Sequence, residues 1–127
     1  MSTASRGAHR ERQVARLLEA EGWAVTRGAG SHGCADLWAA QSEDLGIYDE
    51  HDKPLPGTWL RLIQVKTDKR SPYNNFSPAE RQELASLAAQ TGGVAELCWW
   101  PARRDPVWLT ESDWPSSTSK EVVVDAA

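Results

Sequence analysis

The stretch Trp59 to Thr67, WLRLIQVKT, decides the fold because it is the clearest strand in the chain. Its side chains alternate between two faces, as they do in any strand. One face carries Leu60, Leu62, Gln64 and Lys66, and the other carries Arg61, Ile63 and Val65. Lysine is among the residues least often buried, so Lys66 at the end of an apolar face indicates that this strand opens into a site.

The residues before this strand predict one helix and two further strands. Apolar residues at helical spacing predict a helix from Gly7 to Glu21, ended by Gly22. Trp23 to Arg27 is typical of a short strand, and the nearly all-apolar Cys34 to Ala40 is typical of a central strand covered on both faces. The acidic segment 41–58 shows no periodic spacing of apolar residues and predicts an exposed insertion loop or a long hairpin connection.

The residues after it predict a second helix and one or two strands. Ser77, Pro78 and Glu80 form a capping box with proline at the first helical position, which predicts a helix to about Gln90. The strands expected next are Val94–Trp100 and Val107–Leu109. The order predicts an α/β fold, with a mixed four- or five-stranded sheet flanked by helices. We expect one domain over residues 1–127 and make no structural prediction for the tail 116–127.

The composition is that of an intracellular globular protein. Of 127 residues, 40% are hydrophobic and 25% charged, and no stretch approaches the length of apolar sequence that a membrane span needs. The N-terminus is polar and basic, without the apolar core of a secretory signal, so we expect a cytoplasmic location and no membrane partner.

The net charge of −4 and the pI of about 5.3 argue against a nucleic-acid partner, but the charges are unevenly distributed. Basic residues crowd the first quarter of the chain and the end of the central strand. They are Arg6, Arg10, Arg12, Arg16 and Arg27, and then Lys66, Lys69 and Arg70. One face can therefore still bind phosphates, and we predict that Arg27 is one of the residues that contact DNA. Lys69 and Arg70 are placed to hold DNA beyond the strand end, although a merely solvated loop is an equal alternative.

Two carboxylates occur beside otherwise apolar segments. Asp36 falls inside a predicted strand, and burying a carboxylate without a partner costs several kcal/mol, so a metal, a cation or solvent must reach it. Glu11 projects from the first helix beside its apolar stripe and can reach the same opening. With the amide of Gln64 and the main-chain carbonyl of Val65, they form an oxygen-rich set suited to Mg²⁺ or Mn²⁺.

This set predicts phosphodiester hydrolysis. A metal polarises the scissile phosphate and lowers the pKa of a bound water, and Lys66 can orient that water and stabilise charge on the phosphate. We therefore interpret Glu11, Asp36, Gln64 and Lys66 as catalytic residues of a nuclease. In the alternative, Glu11 and Lys66 form a structural ion pair and Asp36 caps a turn.

Three motifs together resemble the PD-(D/E)XK nuclease superfamily, and within it the archaeal-type Holliday-junction resolvases and their phage relatives. The motifs are RGAHRER at 6–12, the GSHG turn at 30–33 leading to Asp36-Leu37, and QVK at 64–66. The resemblance implies a restriction-endonuclease-like fold and a homodimer that places two active sites on opposing strands of a four-way DNA junction. It also implies that Glu11, Asp36 and position 64 ligate the metal and that Lys66 is catalytic.

The same resemblance implies that Ser31, Arg6 and Arg10 contact the DNA backbone. The sequence departs from the family pattern at two site positions, with Ala35 in place of the usual proline and Gln64 in place of the usual acidic residue. Glutamine offers a carbonyl oxygen but no charge, so we expect weaker Mg²⁺ binding. Two rival functions stay open: a nuclease of the same chemistry on duplex, nicked or single-stranded DNA, and a catalytically impaired DNA-binding subunit.

Overall fold

A computed structural model describes residues 3–28 and 34–115 and contains one five-stranded sheet with a helix on each face. Its elements are α1 (Thr3–Ala20), β1 (Ala24–Arg27), β2 (Leu37–Tyr48), β3 (Pro54–Lys66), α2 (Pro78–Thr91), β4 (Val94–Trp99) and β5 (Val107–Thr110). The strands lie in chain order, with β3 and β4 parallel and every other neighbouring pair antiparallel. The predicted mixed α/β sheet is confirmed, with five strands.

The alternation along β3 divides the core into two clusters. Ile63 and Val65 pack against Val14 and Leu18 of α1. On the opposite face, Leu62 packs in the cluster that contains Leu84 of α2. Because neighbouring residues of one strand belong to different layers, the two helices lie on opposite sides of the sheet.

The two helices begin and end through local signals. In the predicted capping box, the Ser77 hydroxyl accepts the Glu80 N–H at 3.2 Å, and the Ser77 N–H donates to Glu80 Oε1 at 3.0 Å. Gly92 ends α2 in the left-handed conformation, with φ of 74°, and Gly22 follows α1 with φ of 96°. No helix in residues 3–28 or 34–115 is long and apolar enough to cross a membrane.

The segment 41–58 is a β-ribbon, so its prediction as an exposed loop was wrong and the hairpin alternative was right. The pairing of β2 with β3 continues from Leu37↔Ile63 through Gln41↔Trp59 to Tyr48↔Pro54. Main-chain hydrogen bonds carry the ladder beyond the hydrophobic core, which is why the side chains there show no apolar alternation.

The prediction that Asp36 lies in mid-strand was also wrong, because β2 begins at Leu37. The Val65 N–H donates to the Asp36 carboxylate at 2.8 Å. In a regular antiparallel ladder this N–H would donate to a main-chain carbonyl of the neighbouring strand instead. Asp36 therefore lies at the end of the β2–β3 pairing.

An ion pair between β3 and β4 is enclosed by two tryptophans. Arg61 donates to both carboxylate oxygens of Glu96, at 2.5 and 2.8 Å, and the side chains are only 17% and 8% exposed. The guanidinium carbon also lies 4.8 Å from the ring centres of Trp23 and Trp108. The bidentate geometry and the two aromatic faces compensate for the lost hydration of the charges.

We expect Arg61→Ala to lower the free energy of unfolding by roughly 3–5 kcal/mol, because it leaves Glu96 buried without its cation. Urea denaturation measures the loss. Arg16→Ala, at an exposed position of α1, is the matched control and should change stability by no more than about 0.5 kcal/mol. Equal effects of the two substitutions would show that the enclosed pair contributes nothing.

Candidate active site

Asp36 is a half-buried carboxylate of the predicted site. Burial is the main cause that raises its pKa from 3.8 to about 6. The Val65 N–H and Lys66 act in the opposite direction, whereas the charges of Glu11 and Glu80 raise the pKa further. Asp36 is thus within electrostatic range of two further carboxylates and one lysine. A cation placed among them would relieve this repulsion.

A glycine fixes the backbone next to this carboxylate. The Gly28 N–H donates to the carbonyl of Asp36 at 2.7 Å. A Cβ atom at position 28 would lie 2.3 Å from the carbonyl oxygen of Ala35, so no larger residue fits without moving the segment that carries Asp36. Of the glycine-rich turn that follows, residues 29–33, including Ser31, lie outside the described residues.

Glu11 reaches the site from α1 and is paired with a strand residue. Its Oε1 lies 3.3 Å from Nη2 of Arg27 on β1, and its side chain is 23% exposed. Arg27, which the sequence assigned to DNA, therefore neutralises Glu11 in this structure.

Lys66 reaches the site from the end of β3 and is paired with the other helix. Its Nζ lies 3.9 Å from Oε2 of Glu80, with 18% of the lysine side chain exposed. Among the described residues, Glu11 and Lys66 each have another partner, so the structural ion pair of the alternative interpretation is not formed. The sequence did not single out Glu80 for the site because the capping box already accounted for it.

Gln64 is buried and holds the segment before Asp36. Its side-chain nitrogen donates to the carbonyl of Cys34, which leaves its amide oxygen as the atom that can contact a cation. No three His, Cys, Asp or Glu side chains within the described ranges are arranged to hold a metal. Glu11, Asp36 and the Gln64 oxygen fit a hard divalent cation in chemistry, with one charge fewer than three carboxylates would supply.

A basic cleft of about 710 Å³ lies beside the end of β3, and two of the predicted DNA-binding residues, Arg10 and Lys69, line it. Its lining consists of His9, Arg10, Gln13, Thr67, Lys69, Ala102 and Arg103. Arg10 is held in place: it donates to Gln13 at 2.9 Å and lies 4.4 Å from the ring centre of Trp100. The sequence did not single out His9 or Arg103, and the only signal for the latter was the Arg103-Arg104 pair between β4 and β5.

The loop after Lys66 is organised by one aspartate. Asp68 accepts the N–H groups of Arg70 and Ser71 at 2.8 and 3.1 Å, and these bonds lower its pKa. The turn presents Lys69 to the cleft and leaves Arg70 exposed outside its lining. The side chain of Arg6 lies outside the described part of the molecule.

Comparison with known proteins agrees with the motifs. The family model of the archaeal Holliday junction resolvase (hjc) matches residues 2–48, a range that holds Glu11 and Asp36. The chain is also similar to the solved structure of Archaeoglobus fulgidus Hjc, a Holliday junction resolvase from an archaeal hyperthermophile, with 23% identity and a TM-score of 0.62. The match covers 84% of this chain and 78% of that chain. No curated protein matches the sequence. The resemblance and the fold predicted from the sequence are confirmed.

We expect Asp36→Asn to stabilise the metal-free protein at neutral pH. Since folding raises the pKa of Asp36 from 3.8 to about 6, its protonated form favours the folded state. That contribution is complete below about pH 4 and is lost as the pH rises through about 6, a loss of roughly 3 kcal/mol. Asparagine keeps the acceptor for the Val65 N–H and does not ionise.

Urea denaturation of both proteins in a chelating buffer, at about pH 3.5 and about pH 7.5, measures this effect. The stability difference should be small at the lower pH and largest at the higher one. A difference that does not change with pH would show that Asp36 ionises as freely in the folded chain as in the unfolded one.

Proposed function

We propose that the protein is a metal-dependent endonuclease that cleaves branched DNA, with four-way junctions as its substrate. The observation that carries the proposal is the half-buried carboxylate of Asp36, which lies within electrostatic range of Glu11 and of Lys66 at one end of the sheet. The family match over residues 2–48 and the likeness in fold to a junction resolvase support the choice of substrate.

Mg²⁺, or Mn²⁺ in its place, would be held by Glu11, Asp36, the Gln64 amide oxygen and the Val65 carbonyl. When bound, such an ion polarises the scissile phosphate and lowers the pKa of its water. The chain's own residues prepare the site for it. The Val65 N–H and the backbone of Gly28 keep Asp36 at the strand end, and the burial of its carboxylate favours a divalent partner over solvent.

Lys66 is the cation that the protein itself brings to the phosphate. Its side chain is only 18% exposed, so its charge is less screened than that of a surface lysine. It stabilises the negative charge that develops on the phosphate oxygens as the bond to the leaving oxygen breaks. An uncharged residue at position 66 cannot stabilise that negative charge in this way.

The DNA strand leaves the site along the basic cleft. Arg10 and Lys69, together with His9 and Arg103, present donors and positive charge to backbone phosphates, which gives affinity without base preference. Arg6, Arg27, Ser31 and Arg70 complete the proposed backbone contacts. Arg27 would exchange its partner Glu11 for a phosphate when DNA binds.

The protein acts as a homodimer in this proposal. A four-way junction is resolved by cuts on two opposing strands, and one described chain has one such site, so two copies are needed to cut both strands in one complex. Light scattering after size-exclusion chromatography should give about twice the mass of the 14.0 kDa chain. A monomer at all concentrations, with or without junction DNA, would exclude this arrangement.

One observation favours a second candidate, a DNA-binding subunit that no longer cuts. Gln64 stands where the related nucleases carry an acidic residue, and its amide is already bonded to the Cys34 carbonyl. A site with two carboxylates binds a divalent cation more weakly than one with three.

Incubation of the purified protein with a synthetic four-way junction and a matched linear duplex, with and without Mn²⁺, separates these functions. Paired cuts on opposing junction strands, dependent on the metal, are the expected result. Equal cutting of the duplex would instead assign a nuclease without junction preference. Junction binding without any cut would assign the non-cutting subunit.

We expect Asp36→Asn and Lys66→Ala to lower the cleavage rate by at least about 100-fold, because each removes a charge that acts on the reacting phosphate or on the metal. Gel-shift titration should show that junction binding persists in both variants. Lys53→Ala, at an exposed lysine between β2 and β3, is the matched control and should cut at the normal rate. Turnover retained in either site variant would contradict the proposed roles.

We expect Gln64→Glu to lower the metal concentration that half-maximal cleavage needs, because it adds the missing negative charge to the site. A titration of cleavage rate against Mn²⁺ measures the shift. No change in the metal requirement would show that residue 64 does not contact the ion.

A further inference from the structure

The two carboxylate oxygens of Glu80 contact different groups. Oε1 accepts the Ser77 N–H at 3.0 Å and completes the capping box of α2. Oε2 lies on the Lys66 side, 3.9 Å from its Nζ. A capping glutamate needs only the first contact, so the capping role does not explain the second.

The charges around Asp36 explain what the second contact supplies. Gln64 is neutral, so the predicted catalytic set contains only the carboxylates of Glu11 and Asp36. Each of the nearby cations, Arg27 and Lys66, lies against a carboxylate. Without Glu80, two negative charges face two positive ones and the site is neutral. With Glu80, the site has an excess of one negative charge, which favours the binding of a divalent cation.

We infer that Glu80 is the third acidic residue of the site: it holds the Lys66 ammonium and supplies from α2 the negative charge that Gln64 does not supply from β3. Glu80 is a positioning residue, since it acts on the metal and the phosphate through Lys66 and through its charge. This inference rests on the proposed function, because it concerns the same site. The Coulomb interaction between Glu80 and Asp36 supports the placement.

The decisive variant is Glu80→Gln. Glutamine also completes a capping box, so α2 keeps its N-terminal hydrogen bonds while the charge is lost. Glu83→Gln is the matched control, with the same change of charge on an exposed position of the same helix. Calorimetric titration of the DNA-free protein with Mn²⁺ is the first readout, and the Mn²⁺ dependence of junction cleavage is the second.

We expect Glu80→Gln to weaken Mn²⁺ binding by about tenfold, as loss of a residue that supports metal ligands commonly does. Glu83→Gln should bind as the unmodified protein does. Adding Gln64→Glu to Glu80→Gln should restore most of the affinity, since the charge returns from the neighbouring strand. If this double variant does not fold, the comparison of Glu80→Gln with Glu83→Gln tests the inference.

Equal metal affinities of Glu80→Gln and Glu83→Gln would overturn the inference, and so would a folded double variant that recovers nothing. These outcomes differ from a failure of the proposed function. If the unmodified chain cuts no DNA but Glu80→Gln still loses metal affinity, the function fails and the role of Glu80 stands. If the chain cuts junctions and Glu80→Gln behaves like its control, the function stands and the role of Glu80 fails.

Discussion

The hydrogen bond from the Val65 N–H to the Asp36 carboxylate is the contact on which the candidate site depends. It lies at the end of the regular pairing of β2 with β3 and holds a carboxylate beside the end of the central strand. Burial makes that carboxylate costly to ionise, and the backbone of Gly28 prevents the segment from moving away. The ionised form of Asp36 is therefore disfavoured at this position, and a bound cation would offset that cost.

The two helical layers contribute different parts of the candidate site. Glu11 lies on α1 and Glu80 on α2, and the sheet separates these helices over most of its area. Side chains from opposite layers can approach one another only beyond the end of the sheet. Asp36 lies at that end and interacts electrostatically with both glutamates and with Lys66. The position of the site is thus a consequence of the layered architecture.

The acidic net charge does not conflict with a DNA partner, because the charges are separated in space. The acidic residues of the β2–β3 ribbon, among them Glu43, Asp49 and Asp52, lie on the part of the hairpin that extends beyond β1. Arg10, Lys69 and Arg103 instead line one cleft beside the end of β3. Phosphates respond to the local field of such a cleft more than to the total charge of −4.

The sequence by itself determined the elements whose signals are local: the alternation along β3, the capping box of Ser77 and Glu80, and the three motifs that hold Glu11, Asp36 and Lys66. It did not determine that the acidic segment 41–58 pairs as a ribbon, because main-chain hydrogen bonds hold that ribbon together and do not require a particular pattern of side chains. Only the tertiary structure decided which charges face each other. The partners of Glu11 and Lys66 are 16 and 14 positions away along the chain. Contacts of that range depend on how the layers pack, and no local propensity encodes them.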